Sequence, residues 1–76
     1  MRKVIIAVNG MDSSGYQTIA EHRLSMIDGV CKVKAAPQSG EIVLYVTQNS
    51  FDLLQVFAAL REVGFSFAGS LSSYEI

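Results

Sequence analysis

A run of β-branched residues that leads into a glycine-bracketed loop constrains the fold more than any other stretch of the chain. Four of the five residues from Val4 to Val8 are Val or Ile, and branched side chains suit a pleated strand. Beyond the loop, apolar residues recur at spacings of three and four, which predicts an amphipathic helix over residues 14–27. Small α/β domains often place their binding residues in strand-to-helix loops, so this loop is the candidate site. Its residues are Gly10, Met11, Asp12, Ser13, Ser14, Gly15 and Tyr16.

A hairpin is predicted in the middle of the chain. Residues 30–36 alternate in polarity and residues 41–47 form a second branched run, while residues 37–40 (Pro-Gln-Ser-Gly) have the composition of a turn. Because side chains alternate across a strand, each strand has one core face. The expected core residues are Cys31, Val33 and Ala35 in the first strand and Ile42, Leu44 and Val46 in the second.

A second helix and a short last strand complete the predicted elements. Apolar residues at helical spacing follow Asn49 and Ser50, either of which could be the N-cap. Gly64 follows the last of them and tolerates the left-handed conformation that ends many helices. The alternation Phe-Ser-Phe over residues 65–67 predicts the final strand.

The element order β-α-β-β-α-β predicts a ferredoxin-like α+β fold, an antiparallel four-stranded sheet with two helices on one face. We expect one domain over residues 1–70 and a frayed tail over residues 71–76, where periodicity is absent. The sheet face opposite the helices should carry an apolar patch, which suggests a protein partner or a homodimer. The residues expected in this patch are Ile5, Ala7, Val43 and Tyr45.

Composition narrows the classes of function. Half of the 76 residues are hydrophobic and 17% are charged, with a formal net charge of −1. This is a globular composition, and it lacks the basic excess of a nucleic-acid-binding protein. The single cysteine excludes an internal disulfide, and the first apolar run is too short to span a membrane. We therefore expect a cytoplasmic protein without a membrane span and without a nucleic-acid partner.

The loop and the positions around it resemble the heavy-metal-associated domain of copper chaperones and of metal-pumping ATPases. The motif of that family reads Gly-Met-Thr-Cys-x-x-Cys after the first strand. Gly10 and Met11 match it, whereas Asp12 stands at the Thr, Ser13 at the first Cys and Tyr16 at the second. The scaffold match continues at Ala20, Leu24, Val33 and Ala35, and in the pairs Gly29-Val30 and Gly64-Phe65.

The resemblance implies the fold of the family but not its metal site. Soft ions such as Cu(I) choose thiolate over hydroxyl oxygen, and both Ser13 and Tyr16 keep their protons at neutral pH. We therefore expect no cofactor and no metal ligand at these two positions. A residual metal role would have to use Met11, Asp12 or an intermolecular site at Cys31.

A weaker resemblance connects the same loop to the ACT domain, a regulatory module with the same topology. The ACT loop often reads Asp-Arg-Pro-Gly before the first helix, and this chain has Asp12-Ser13-Ser14-Gly15 there. The resemblance implies an amino acid as ligand, because glycine lets the backbone approach a small molecule closely. The loop could thus contact a small ligand instead of a protein.

Several residues that could carry chemistry have a simpler structural interpretation. Met11 is expected to pack under the loop, and Asp12 to bond its own loop backbone. Cys31 is expected in the core, where cysteine behaves as a small hydrophobe, and His22 on a solvated helix face. The ring of Tyr16 could be either a lid over the loop or a core residue of the first helical turn.

No enzyme class fits the sequence. The one histidine forms no nucleophile–base pair by spacing. Acylphosphatases share the predicted topology, but their phosphate loop is basic. The loop of this chain carries Asp12 and no Lys or Arg, so it would repel phosphate. We therefore expect a binding module, not an enzyme.

Overall fold

The computed structural model describes residues 1–10, 14–47 and 52–75. Four strands and two helices follow the predicted order, and the elements are β1 (Arg2–Asn9), α1 (Ser14–Ser25), β2 (Val30–Ala36), β3 (Glu41–Val46), α2 (Leu53–Val63) and β4 (Ser66–Glu75). The strands form one sheet in the order β2-β3-β1-β4, with every neighbouring pair antiparallel. The predicted ferredoxin-like fold is confirmed.

The core lies between the sheet and the two helices. The two central strands alternate strictly between buried and half-buried residues, so each presents one face to the helices. The predicted phase of β3 is confirmed, since Ile42, Leu44 and Val46 are at most 1% exposed. The other fully or nearly buried side chains are Val4, Ile6, Val8, Ala20, Leu24, Ala35, Val56, Ala59, Leu60 and Phe65.

Helix α1 also contacts the backbone of the edge strand β2. The Ala35 N–H donates to a carboxylate oxygen of Glu21 at 2.8 Å, and the Gln17 side-chain amide donates to the Ala35 carbonyl oxygen at 3.3 Å. Residues four apart lie on the same side of a helix, so both reach one strand residue. The helix ends at Ser25, slightly before the predicted residue 27. The amide of Ile27 then bonds the Leu24 carbonyl, three residues back, in a tighter turn.

Helix α2 begins later than predicted. Its N-cap is Asp52, whose carboxylate accepts the Leu54 N–H at 2.9 Å, so the prediction of Asn49 or Ser50 as the cap is wrong. Those two residues lie outside the described part of the chain. The predicted stop at Gly64 is correct. This residue has φ 101°, and its N–H bonds to carbonyls of the last helical turn.

The predicted frayed tail is wrong for residues 71–75, because β4 continues to Glu75. It pairs with β1 at both ends of the strand, Ser66 and Phe67 opposite Asn9 and Val8, and residues 71–75 opposite residues 6–2. The prediction failed because every side chain of β4 is exposed, so no apolar periodicity marks the strand. Backbone pairing with β1, and not side-chain burial, holds β4 in its extended conformation. A register shift opposite Ala7 further disrupts the pattern.

Cys31 is exposed, so the prediction that it packs in the core is wrong. The cause is a register shift in β2. Val30 pairs with Val46 and Lys32 with Tyr45, so Cys31 is an extra residue on the strand. An extra residue of this kind reverses the alternation of side chains on one side of the bulge. Val30 and Val33 therefore both pack against the core.

Candidate functional site

The loop after β1 begins at a glycine that packs closely against the end of α2. Gly10 has φ +100°, and a Cβ atom there would lie 3.1 Å from the Gly64 carbonyl oxygen and 3.5 Å from the Phe65 ring. Side chains other than glycine are strained at this φ, and the short contact leaves little room for one. Gly10, which follows the first strand, and Gly64, which follows the second helix, therefore meet at one end of the molecule.

Tyr16 and Phe65 form an aromatic pair at the same end. Their ring centroids are 6.3 Å apart and the ring planes are inclined at 65°, an edge-to-face arrangement that aromatic pairs favour. Phe65 is 4% exposed and Tyr16 is 47% exposed. Tyr16 is thus a half-exposed ring of the first turn of α1, fixed against a core residue. Its exposure shows that Tyr16 is not a buried core residue of the first helical turn.

The remaining predicted loop residues contribute less to a description of the site. Met11, Asp12 and Ser13 lie outside the described residues, and Ser14 begins α1. Gly15 is exposed in the first helical turn, and His22 is exposed near the end of α1 as predicted. Within residues 1–10, 14–47 and 52–75, no group of three or more His, Cys, Asp or Glu residues could hold a metal ion.

A groove adjoins this end of the molecule between α2 and the start of β4. It has a volume of about 560 Å³, and Phe65 lines it together with Phe57 and Phe67. The Phe57 and Phe67 rings are 5.4 Å apart, and Leu54 at the rim is 75% exposed. Phe65 therefore connects the ring of Tyr16 to an apolar groove that sequence reasoning missed.

The open face of the sheet is the second candidate site. Ile5, Ala7, Val43 and Tyr45 are half-buried and lie opposite the core residues of β1 and β3, where the sequence placed them. Ile5 pairs with Val43, and Lys3 pairs with Tyr45. These side chains form a continuous surface because directly paired residues share a face.

Lys3 and Tyr74 belong to this surface, and sequence reasoning missed both. The Lys3 ammonium lies 5.9 Å from the centroids of the Tyr45 and Tyr74 rings, within the range of a cation–π contact. Tyr74 reaches the face because β4 extends past the predicted tail boundary and pairs Tyr74 with Lys3. Lys3 and Ile5 are two residues apart on one strand and therefore share a face. This spacing could have placed Lys3 on the open face from the sequence alone.

Comparison with known proteins supports the fold. No sequence-family model and no curated protein matches the chain. Among solved structures, the chain is similar to the CopZ metallochaperone, with 21% identity, a TM-score of 0.81 and coverage of 87% of this chain and 98% of that one.

Two further structures extend this likeness. The N-terminal domain of a potential copper-translocating P-type ATPase from Bacillus subtilis gives 15% identity and a TM-score of 0.81, covering 99% and 92% of the two chains. Oxidized MerP from Ralstonia metallidurans CH34 gives 19% identity and a TM-score of 0.77, covering 90% and 96%. The chain therefore has the fold of heavy-metal-associated domains.

The helices of the described chain are too short to cross a lipid bilayer. Neither α1 nor α2 reaches the length and continuous apolar character that a transmembrane helix needs.

Proposed function

We propose that this protein is a binding module related to heavy-metal-associated domains that has lost the two-cysteine metal site. The observation that carries the proposal is the replacement of both thiol positions. Ser13 and Tyr16 stand where the family motif has cysteines, and the chain's one cysteine is Cys31. Cys31 lies exposed on β2, and the ring of Tyr16 packs on Phe65.

The chemistry of the substituted side chains supports the loss of soft-metal binding. A Cu(I) ion needs soft ligands, and thiolate is the soft ligand that proteins supply most readily. A serine hydroxyl and a phenol remain protonated at neutral pH, so neither competes with thiolate. The edge-to-face contact gives Tyr16 a packing role instead.

The open sheet face is the part of the molecule that we assign to a partner. It presents Ile5, Ala7, Val43 and Tyr45 next to each other, and contiguous apolar surface on a small protein marks interaction sites. The occupant is a protein partner or a second copy of the chain, in a cytoplasmic setting. No catalytic role is proposed, since the similar structures include a metallochaperone and a copper binding domain of a P-type ATPase.

A small ligand near the loop is the second candidate function. The groove beside Phe65 favours it, because ligand sites are concave and lined mainly by apolar and aromatic side chains. An amino acid bound there would correspond to an ACT-like regulatory role.

A Cu(I) titration in competition with a chelator tests the principal proposal. We expect the protein to bind Cu(I) no more tightly than an unrelated protein with one cysteine. The matched control is Cys31→Ser, which removes the one thiol far from the loop in sequence. Tight one-to-one binding that survives in Cys31→Ser would contradict the proposal, because the loop would then hold the ion. Tight binding that disappears in this variant would instead show a site at Cys31.

The second candidate is tested by thermal unfolding in the presence of a panel of amino acids. A ligand that binds only the folded state raises the melting temperature in a concentration-dependent way. A saturating increase with one amino acid, lost in a Phe57→Ala variant that still folds, would favour the ACT-like role. If no amino acid changes the melting temperature, the partner-binding role stands alone.

A further inference from the structure

The open face of the sheet holds every lysine of the chain. Lys3, Lys32 and Lys34 are the three lysines of the sequence. Lys32 pairs with Tyr45 and Lys34 pairs with Val43, so both share the open face with Lys3. Half of the six Lys and Arg residues of a chain with a formal net charge of −1 therefore lie on this face.

The positive charges alternate with aromatic rings across all four strands. Lys32 on β2 pairs with Tyr45 on β3, which pairs with Lys3 on β1, which pairs with Tyr74 on β4. We call these four residues the lysine–tyrosine row. The next row along the strands consists of Lys34, Val43, Ile5 and Ser72, and it places apolar side chains beside the charged ones.

The charges of the lysines are not neutralised within the described part of the chain. The ion pairs found there join Arg2 to Glu75 and Arg23 to Glu62, and both involve arginines. Glu41 is the acidic residue on the open face of β3. It pairs with Ala7 and Ala36, two rows from Lys3 and Lys32 and one row from Lys34, and the ion pairs of the described residues do not include it. The face thus offers three lysine ammonium groups that lack a carboxylate partner there.

We propose that the open face binds an acidic segment of another protein, with carboxylates on the lysines and apolar side chains on Ile5, Ala7 and Val43. This inference rests on the proposed partner-binding role and specifies the chemistry of the partner. Complementary charge raises the association rate and excludes partners of the same sign. The side chains of Ile5, Ala7 and Val43 supply the apolar contact that charge alone would not.

The same charges argue against a second copy seated face to face. A two-fold interface places the same patch of both copies in contact, so the lysines of one copy would meet those of the other. Like charges brought together in this way weaken an interface. The occupant is therefore a different surface, and one that carries the opposite charge.

Single-stranded nucleic acid is also anionic, but this face suits it less well. Proteins that bind single strands use open aromatic side chains as stacking platforms. Here the side chain of Tyr45 is already half-buried, and the Lys3 ammonium lies over its ring, so the ring is not an open stacking platform. Phosphates would also leave Ile5, Ala7 and Val43 uncovered. Carboxylates interspersed with apolar side chains match both rows.

Fluorescence polarisation with a labelled peptide of glutamate and leucine in mixed order tests the inference. The key variant replaces Lys3, Lys32 and Lys34 together by Gln, and we expect its affinity to fall by at least about tenfold. A single Lys3→Gln change should cost between about twofold and fivefold, the upper range for an exposed ion pair. The matched control Arg61→Gln removes the same charge from an exposed position on α2 and should change affinity by less than about twofold.

Three results would overturn the inference. Equal losses in Lys3→Gln and Arg61→Gln would show that binding follows net charge and not this face. Tighter binding of an oligothymidylate than of the peptide would assign the face to nucleic acid. Failure of the wild-type protein to bind the peptide, with thermal unfolding unchanged among variants, would remove the acidic partner. None of these results depends on Cu(I), so the loss of the metal site is tested separately.

Discussion

The two faces of the central strands differ although the same short runs of sequence build them. On the helix side, Leu44 and Ile6 are fully buried, and no charged side chain is buried with them among the described residues. On the other side, Val43 and Ile5 are half-buried and stand beside lysines. Because side chains alternate across a strand, one residue of β1 or β3 packs in the core and the next lies on the open face. A substitution at one position should therefore affect folding, and at the next position partner binding.

The loop end of the molecule shows a different combination. There Gly10 packs closely on Gly64 and Phe65. The two cysteines of the heavy-metal-associated motif are absent, because the sequence has Ser13 and Tyr16 at those positions. Geometry and ligand chemistry are separate properties of such a site, because backbone packing is set by glycines and the metal by side chains.

The largest expected effect is a core truncation in β3. Leu44→Ala should destabilise the protein by about 2 to 5 kcal/mol, because it removes buried methyl groups and leaves a cavity. The neighbouring change Val43→Ala should cost about 1 kcal/mol or less, since its side chain is only half-buried. Urea unfolding of the two variants measures the difference. Similar costs would contradict the division of roles between the faces.

An intermediate effect is expected for glycine replacement at the loop. Gly10→Ala should cost about 1 to 3 kcal/mol, because a Cβ at positive φ is strained and the Gly64 carbonyl oxygen is close. Gly69→Ala is the matched control, since Gly69 has φ +89° but nothing lies within 4 Å of its added Cβ. Thermal and urea unfolding should show the greater loss for Gly10→Ala. Equal losses would mean that strain alone matters and the contact with α2 does not.

The smallest expected effect concerns the lysine–tyrosine row. A double-mutant cycle of Lys3→Gln and Tyr45→Leu should give a coupling free energy of about 0.5 to 1 kcal/mol, typical of a cation–π contact near the surface. The control cycle pairs Lys34→Gln with Tyr45→Leu, because Lys34 faces Val43 across the strands. We expect no measurable coupling in that cycle. Coupling of equal size in both cycles would show a general effect of charge on the face.

Sequence reasoning succeeded where a local rule governs the structure. The alternation of Ile42, Leu44 and Val46 was enough to assign the core face of β3, because the period of a regular strand is two. Gly64 was assigned correctly because left-handed backbone at a helix end favours glycine. These rules depend on a residue and its neighbours in the chain.

It failed where the cause lies on another strand. The bulge that exposes Cys31 appears only in the pairing with β3, and the order of β4 comes from its hydrogen bonds to β1. The missed contact between Tyr16 and Phe65 joins residues far apart in sequence. Register and long-range packing are not encoded in local periodicity, so the sequence does not reveal the pairing that forms the lysine–tyrosine row.

The most direct test of the central claim is to restore the thiols that the loop lacks. The double variant Ser13→Cys/Tyr16→Cys should bind Cu(I) tightly, because the start of a helix favours thiolates over thiols. Neither single variant should do so. Loss of the Tyr16 ring is expected to cost about 0.5 to 1.5 kcal/mol of stability through its contact with Phe65, so circular dichroism must first show a folded protein. Tight one-to-one Cu(I) binding by the double variant alone is the predicted result. A folded double variant that ignores Cu(I) would contradict the account, because the loop would then have a different shape from that of a metal-binding domain.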